Sequence, residues 1–176
     1  MNRHILMVTM RLTLTFASVF IAFSVLVDPW REWEARAVTG VLGALGVDGA
    51  SRAFGNEILV VPNSSTPFLA TISPSCSALA AVLTFAAISL FLLRGDPIRR
   101  FTAFVGASML VFVCNGIRIG LSVLVGVYTD SNGLVVFHDW VGTAFGLLYV
   151  LGGFTLYLWL LLPSNQLLLK EATRAR

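Results

Sequence analysis

Residues 101–127 read FTAFVGASMLVFVCNGIRIGLSVLVGV, and this stretch decides the fold. It is mostly apolar, and Arg118 is its only charged residue. As a helix it reaches ~40 Å, against a hydrocarbon core of ~30 Å. It is long enough to cross a bilayer and has to tilt or protrude. On its amino-terminal side, a second apolar run spans Ser77–Leu93. Ser73-Pro74-Ser75 opens it, supplying a preset φ and side-chain acceptors for free N–H groups. Arg94, Asp96, Arg99 and Arg100 form a short basic loop between the two runs. On the other side, a polar turn at Thr129–Gly133 leads into a fourth run, Leu134–Leu162. Pro163-Ser164-Asn165 closes that run, and Lys170, Arg174 and Arg176 follow.

The first apolar run, Leu12–Val27, follows Arg3 and Arg11 and meets Asp28-Pro29-Trp30. A signal peptide is one reading. No small-residue cleavage motif follows, so a retained helix ending at an interfacial stop is the preferred one. Residues 31–47 (REWEARAVTGVLGALGV) predict a short amphipathic helix on the membrane surface. Two short strands around Pro62-Asn63-Ser64-Ser65 are predicted within 52–75, as a small hairpin that needs the helices for support.

Composition agrees with the runs. The 176 residues are 57% hydrophobic and 12% charged, about half the charged share of a soluble domain. The expectation is one all-α polytopic membrane domain over 1–176, with about four transmembrane helices (about 12–27, 77–93, 101–127 and 134–162). The net charge of +3 sits at the ends of apolar runs, a topology signal and not a nucleic-acid footprint. Eight Lys/Arg (Arg3, Arg11, Arg94, Arg99, Arg100, Lys170, Arg174, Arg176) fall on one side and three (Arg31, Arg36, Arg52) on the other. By the positive-inside rule both termini are cytoplasmic, in a plasma or inner membrane, and residues 28–75 face outward. The two cysteines, Cys76 and Cys114, and two histidines form no familiar metal-ligand spacing, so neither metal nor cofactor is expected.

Three reactive residue types converge on one depth. Arg118 lies ~27 Å along the third run from Arg100, and Cys76 ~26 Å from Leu93 at the other end of the second. His138 stands ~36 Å from Leu162, also at the outer side. Cys76 at a helix amino end is a candidate nucleophile, because free N–H groups favour a thiolate; the alternative is a small core cysteine. A buried arginine costs ~2.5–3.5 kcal/mol at the bilayer centre, which argues for a function or a fixed partner, against snorkelling to headgroups. His138 can take and return a proton near neutral pH, or be an ordinary interfacial histidine beside Trp140. Cys114, one turn deeper than Arg118, reads as packing. A Cys76–Cys114 disulfide would remove the nucleophile.

Cys76-Ser77-Ala78-Leu79, Asn115-Gly116-Ile117-Arg118-Ile119 and His138-Asp139-Trp140-Val141-Gly142 stand in an order and spacing that resemble the exosortase/archaeosortase family. The resemblance covers about Ser75–Gly142. It implies a membrane cysteine protease or transpeptidase that sorts proteins. Its substrates are membrane-anchored proteins ending in a recognition motif, a transmembrane helix and a basic cluster. The acceptor is unknown. Carried over, Cys76 attacks the scissile carbonyl, Arg118 stabilises the oxyanion or thiolate, and His138 moves the proton. Asn115, one turn before Arg118, either orients it or packs as a helix amide. Two departures stand out: many family members are longer, and Ala78 stands where the family often has Gly.

Other classes stay open at this point. A non-catalytic subunit of an export or assembly complex would pair Arg118 with Asp139. A transporter would need a polar path, which the inner halves of the runs do not offer. A serine protease lacks a Gly-x-Ser-x-Gly element.

Overall fold

The computed structural model describes residues 3–47, 49, 52–63, 66–91 and 96–162. Arg94 of the basic loop, the Ser64-Ser65 part of the predicted turn and the basic tail with Lys170, Arg174 and Arg176 lie outside these residues. The elements run α1 (Arg3–Ala44), β1 (Arg52–Phe54), β2 (Glu57–Val60), β3 (Phe68–Thr71), α2 (Leu79–Phe91) and α3 (Pro97–Tyr128). They finish with α4 (Ser131–Val136), a wide π-helical segment (Phe137–Gly142) and α5 (Thr143–Leu161). Among the described residues, three helical rods are long and apolar enough to cross a membrane: Ile5–Ala44, Pro97–Tyr128 and Ser131–Leu161. The remaining expected span, 77–93, corresponds to the shorter apolar helix Leu79–Phe91.

The first helix corrects the sequence reading twice. No break follows Val27, and residues 31–47 hold no separate surface helix; α1 runs through Pro29 as one rod of 42 residues. Proline removes one hydrogen-bond donor and crowds the carbonyl four residues back, a cost of ~3 kcal/mol that usually ends a helix. Here an unbroken stripe offsets it. Thr15, Val19, Ala22, Val27, Trp30, Glu34, Val38 and Leu42 are all buried or half-buried, at helical spacing across Pro29. Ion pairs Asp28–Arg31 and Glu32–Arg36 brace the same stretch. At ~63 Å the rod is about twice the hydrocarbon thickness, so its charged half stands clear of lipid.

The core sits around α3. Asp96 caps it, accepting from the Ile98 N–H at 3.0 Å, and Pro97 occupies the first turn. Its buried stripe begins Ala103, Ala107, Val111, Asn115, Ile119 and Val123, one residue per turn. The small residues at the start of that stripe let α5 approach closely. A side chain added at Gly153 of α5 would lie 2.7 Å from Val111 Cγ2, so only glycine permits this crossing. Tyr157 of α5, fully buried, stacks on Phe85 of α2 and shares a 2.8 Å hydrogen bond with Ser89. These contacts close α2, α3 and α5 into one bundle.

The β element has three strands, in order β1-β2-β3, both pairs antiparallel. The expected two-strand hairpin is β2–β3; β1 is the addition. Ile58, Val60 and Ile72 turn one face of the sheet onto Val38 and Leu42 of α1 and onto Ile119, Val123 and Val127 of α3. That second core lies at the end of the bundle where α3 finishes.

Candidate active site

The chain leaves β3 and turns sharply. Pro74–Cys76 form a single 3-10 turn, Ser77 is extended, and α2 begins only at Leu79. Cys76 therefore precedes the helix and is not its first residue. The turn holds the cysteine backbone, with Cys76 N–H bonded to Ser73 C=O at 3.0 Å. The Ser73 hydroxyl donates to Cys76 Sγ at 2.9 Å and is itself 2.8 Å from the Ser75 hydroxyl. Both cysteines are free thiols, so no disulfide blocks Sγ. Cys114 packs in the other hydrophobic cluster, beside α5, as expected.

Arg118 arrives from α3. It is buried and faces into the bundle, so it does not snorkel. Its Nη2 lies 3.9 Å from Cys76 Sγ and 3.2 Å from His138 Nε2. His138 arrives from the π-helical segment, with Nε2 2.9 Å from Cys76 Sγ. Such widened turns recur at functional sites because the extra residue re-aims a side chain without ending the helix. The same segment brings Gly142 against Arg118. A Cβ there would stand 3.2 Å from Arg118 Nε, so the final glycine of the His138–Gly142 motif leaves room for the guanidinium.

The three predicted residues thus meet at one point and line one open cleft, with Ile72 and Ser122 beside them. His138 Nδ1 faces Asp139 Oδ1 at 3.0 Å. A carboxylate only accepts, so Nδ1 carries the hydrogen and Nε2 presents its lone pair to the thiol. Asp139 pairs with His138 in this way; the Arg118–Asp139 pair of the non-catalytic alternative is absent among the described residues.

Burial disfavours the charged form of Cys76. The hydrogen bonds from Ser73 and His138, with the positive charges of His138 and Arg118, outweigh it and leave the thiol below its ordinary pKa. One proton shift connects the two states. In the neutral pair, S–H points at Nε2. After transfer, Nε2–H and the Arg118 N–H groups both face the thiolate. In a Cys114→Ala background, alkylation of Cys76 is expected to fall as pH drops through that lowered pKa, because only the thiolate reacts. Ser73→Ala removes a bond to the charged form, so the midpoint is expected to move up. A midpoint that stays put or moves down contradicts this electrostatic account.

Asn115 is fully buried and more than a packing amide. Its Oδ1 accepts from Tyr149 OH at 2.8 Å and from Arg118 Nη1 at 3.5 Å. Its Nδ2 donates at 3.1 Å to Glu34 Oε1, which also accepts from the Ala78 N–H at 2.9 Å. Glu34 is the residue that sequence reading missed. It is 2% exposed and bridges α1, the start of α2 and α3 directly behind the cleft. A signal was present: Glu34 lies on the apolar stripe of α1, between Trp30 and Val38, whereas Glu32 and Arg36 pair off that stripe.

Glu34→Leu strands both donors and is expected to destabilise by about 1–3 kcal/mol for each. Glu34→Gln keeps an acceptor oxygen and is expected to lose less. Thermal unfolding in detergent measures both; an unchanged midpoint in Glu34→Leu contradicts the bridge.

Comparison with known proteins agrees with the sequence resemblance. A family model described as transmembrane exosortase matches residues 3–162. Searches of curated proteins and of solved structures gave no match. With the family model covering nearly the whole chain, including all three residues that meet in the cleft, this protein belongs to the transmembrane exosortase family.

Proposed function

We propose that this chain is a membrane cysteine transpeptidase that removes a carboxy-terminal tail from membrane-anchored proteins and passes the shortened protein to an acceptor. One observation carries the reading: a thiol, an imidazole and a guanidinium, supplied by three separate segments, lie within hydrogen-bonding reach of one another. Packing alone does not require this trio, because burying Arg118 near the apolar layer is costly.

The steps follow from the contacts. His138 Nε2 takes the Cys76 proton, and Sγ attacks the scissile carbonyl carbon. Arg118 N–H groups face the tetrahedral oxyanion that forms. As the intermediate collapses, the C–N bond breaks, His138 protonates the departing amine, and the substrate remains on Sγ as a thioester. An acceptor nucleophile then gives its proton to His138, attacks the thioester carbonyl and frees the thiol. Asp139 holds the ring so that Nε2, not Nδ1, faces the sulfur. Glu34 and Asn115 fix Arg118 from behind.

Charge distribution supports the orientation. With both termini cytoplasmic, the cleft opens on the outer face, which is the periplasm in a diderm host. The substrate is a protein ending in a motif, a single transmembrane helix and a basic cluster. The helix lies beside this bundle and the basic end stays inside, so the motif sits at the level of Cys76.

Mapping the carboxy termini of membrane-anchored proteins, in cells with and without this chain, tests the proposal. A set of proteins that lose their hydrophobic tails only when the chain is present supports it. Identical termini in both cells contradict it.

A further inference from the structure

We propose that the open edge of β3 is a docking strand, and that the substrate segment to be cut pairs with Leu69–Thr71 main chain to main chain. This inference rests on the cysteine-transfer reading above and names the surface that aligns its substrate.

The register shows which groups are free. β2 and β3 pair Ile58 with Ala70 and Leu59 with Leu69, and the Ile72 N–H donates to Asn56 C=O at 2.9 Å. Hydrogen-bonded and non-hydrogen-bonded pairs alternate along an antiparallel ladder. The Ile72–Asn56 bond therefore assigns the ladder bonds to Ile72, Ala70 and Phe68. Leu69 and Thr71 turn their N–H and C=O groups away from β2. Neither has a main-chain partner on that side among the described residues. β3 is an edge of the sheet, and Leu69 is half exposed. Unpaired edges of this kind accept an added strand.

The location gives the edge a purpose. Ala70, Thr71 and Ile72 line the same cleft as Cys76, Arg118 and His138. Side chains alternate along a strand, and Ala70 and Ile72 belong to the face packed on the core. Thr71 is therefore left to reach the cleft with its main chain. Phe68 and Leu134 both crowd Gly126 of α3, closing the groove at that end. At the other end the strand continues through Ser73 into the turn that holds Cys76. A peptide paired on this edge is led past the sulfur in the extended form that an attacked amide needs. The partner recognised is an extended segment with free amides at alternate positions. Main-chain pairing makes the recognition tolerant of its side chains.

The test uses a tailed protein identified by the termini mapping above. Leu69→Cys, in a Cys76→Ala and Cys114→Ala background, is oxidatively cross-linked to single cysteines placed along the segment before its transmembrane helix. Cross-links at every second position are expected, since strand pairing has a period of two. Cross-links at all positions, at helical spacing, or at none overturn the proposal. In the active chain, Thr71→Pro deletes one outward N–H that the ladder does not use, and tail removal is expected to fall by about tenfold. Thr71→Val, which keeps that N–H, is expected to fall far less; equal losses count against docking. If Thr71→Pro does not accumulate, the cross-linking pattern decides. Tail removal that does not depend on Cys76 sinks the underlying reading. Cys76-dependent removal with aperiodic cross-links sinks only the docking strand.

Discussion

Cys76→Ala is expected to abolish tail removal, a loss on the order of 10³-fold or more, while the protein accumulates normally. The expectation follows from Sγ being the atom on which Ser73, His138 and Arg118 converge. No other thiol can replace it, because Cys114 packs in the separate cluster formed with α5. Cys76→Ser is expected to fail nearly as badly. A hydroxyl at this position ionises far less readily than a thiol, and the imidazole alone would have to activate it. Cys114→Ala is the matched control and is expected to retain processing. Quantifying full-length and shortened substrate on one blot measures all three. Normal processing by Cys76→Ala removes the proposed mechanism outright.

The second large effect falls on the guanidinium. Arg118→Ala is expected to lower processing by about 10²–10³-fold, the usual cost of losing a preorganised oxyanion donor. Arg118→Lys is expected to recover little of it. The planar fork reaches Asn115 with Nη1 while Nη2 faces both the imidazole and the sulfur, and a single ammonium cannot serve both directions. The measurement must separate chemistry from folding, since Arg118 is buried. The rate of thiol alkylation at Cys76 and the amount of folded protein are therefore read alongside processing. Arg118→Ala that processes within a few-fold of the parent contradicts the oxyanion role.

Much of this arrangement was legible because a helix has a fixed rise. Counting residues from Arg100, Leu93 and Leu162 brought Arg118, Cys76 and His138 to one level, and the structure joins them within hydrogen-bonding reach. Asn115 was legible only in part; its spacing suggested Arg118 but not Tyr149 or Glu34. What stayed hidden depended on partners distant in sequence. Pro29 reads locally as a stop, yet the stripe from Thr15 to Leu42 carries the helix through it. Glu34 reads as one more surface charge until the Ala78 N–H and the Asn115 amide, brought by other helices, supply its bonds. Arg52–Phe54 is too short to show alternation and becomes a strand only by pairing with β2. Ser73 looked like a helix-start residue, and its contact with sulfur follows from the 3-10 turn that replaces the first turn of the expected helix.

The central claim is that Cys76 becomes covalently bonded to the substrate, and mass spectrometry of the Cys76 peptide from cells making a tailed substrate reads this directly. The account predicts a hydroxylamine-labile acyl adduct on Cys76, carrying the new carboxy terminus of the shortened protein. Tail removal at the normal rate with Cys76 never acylated, or with the adduct on Cys114, would contradict it.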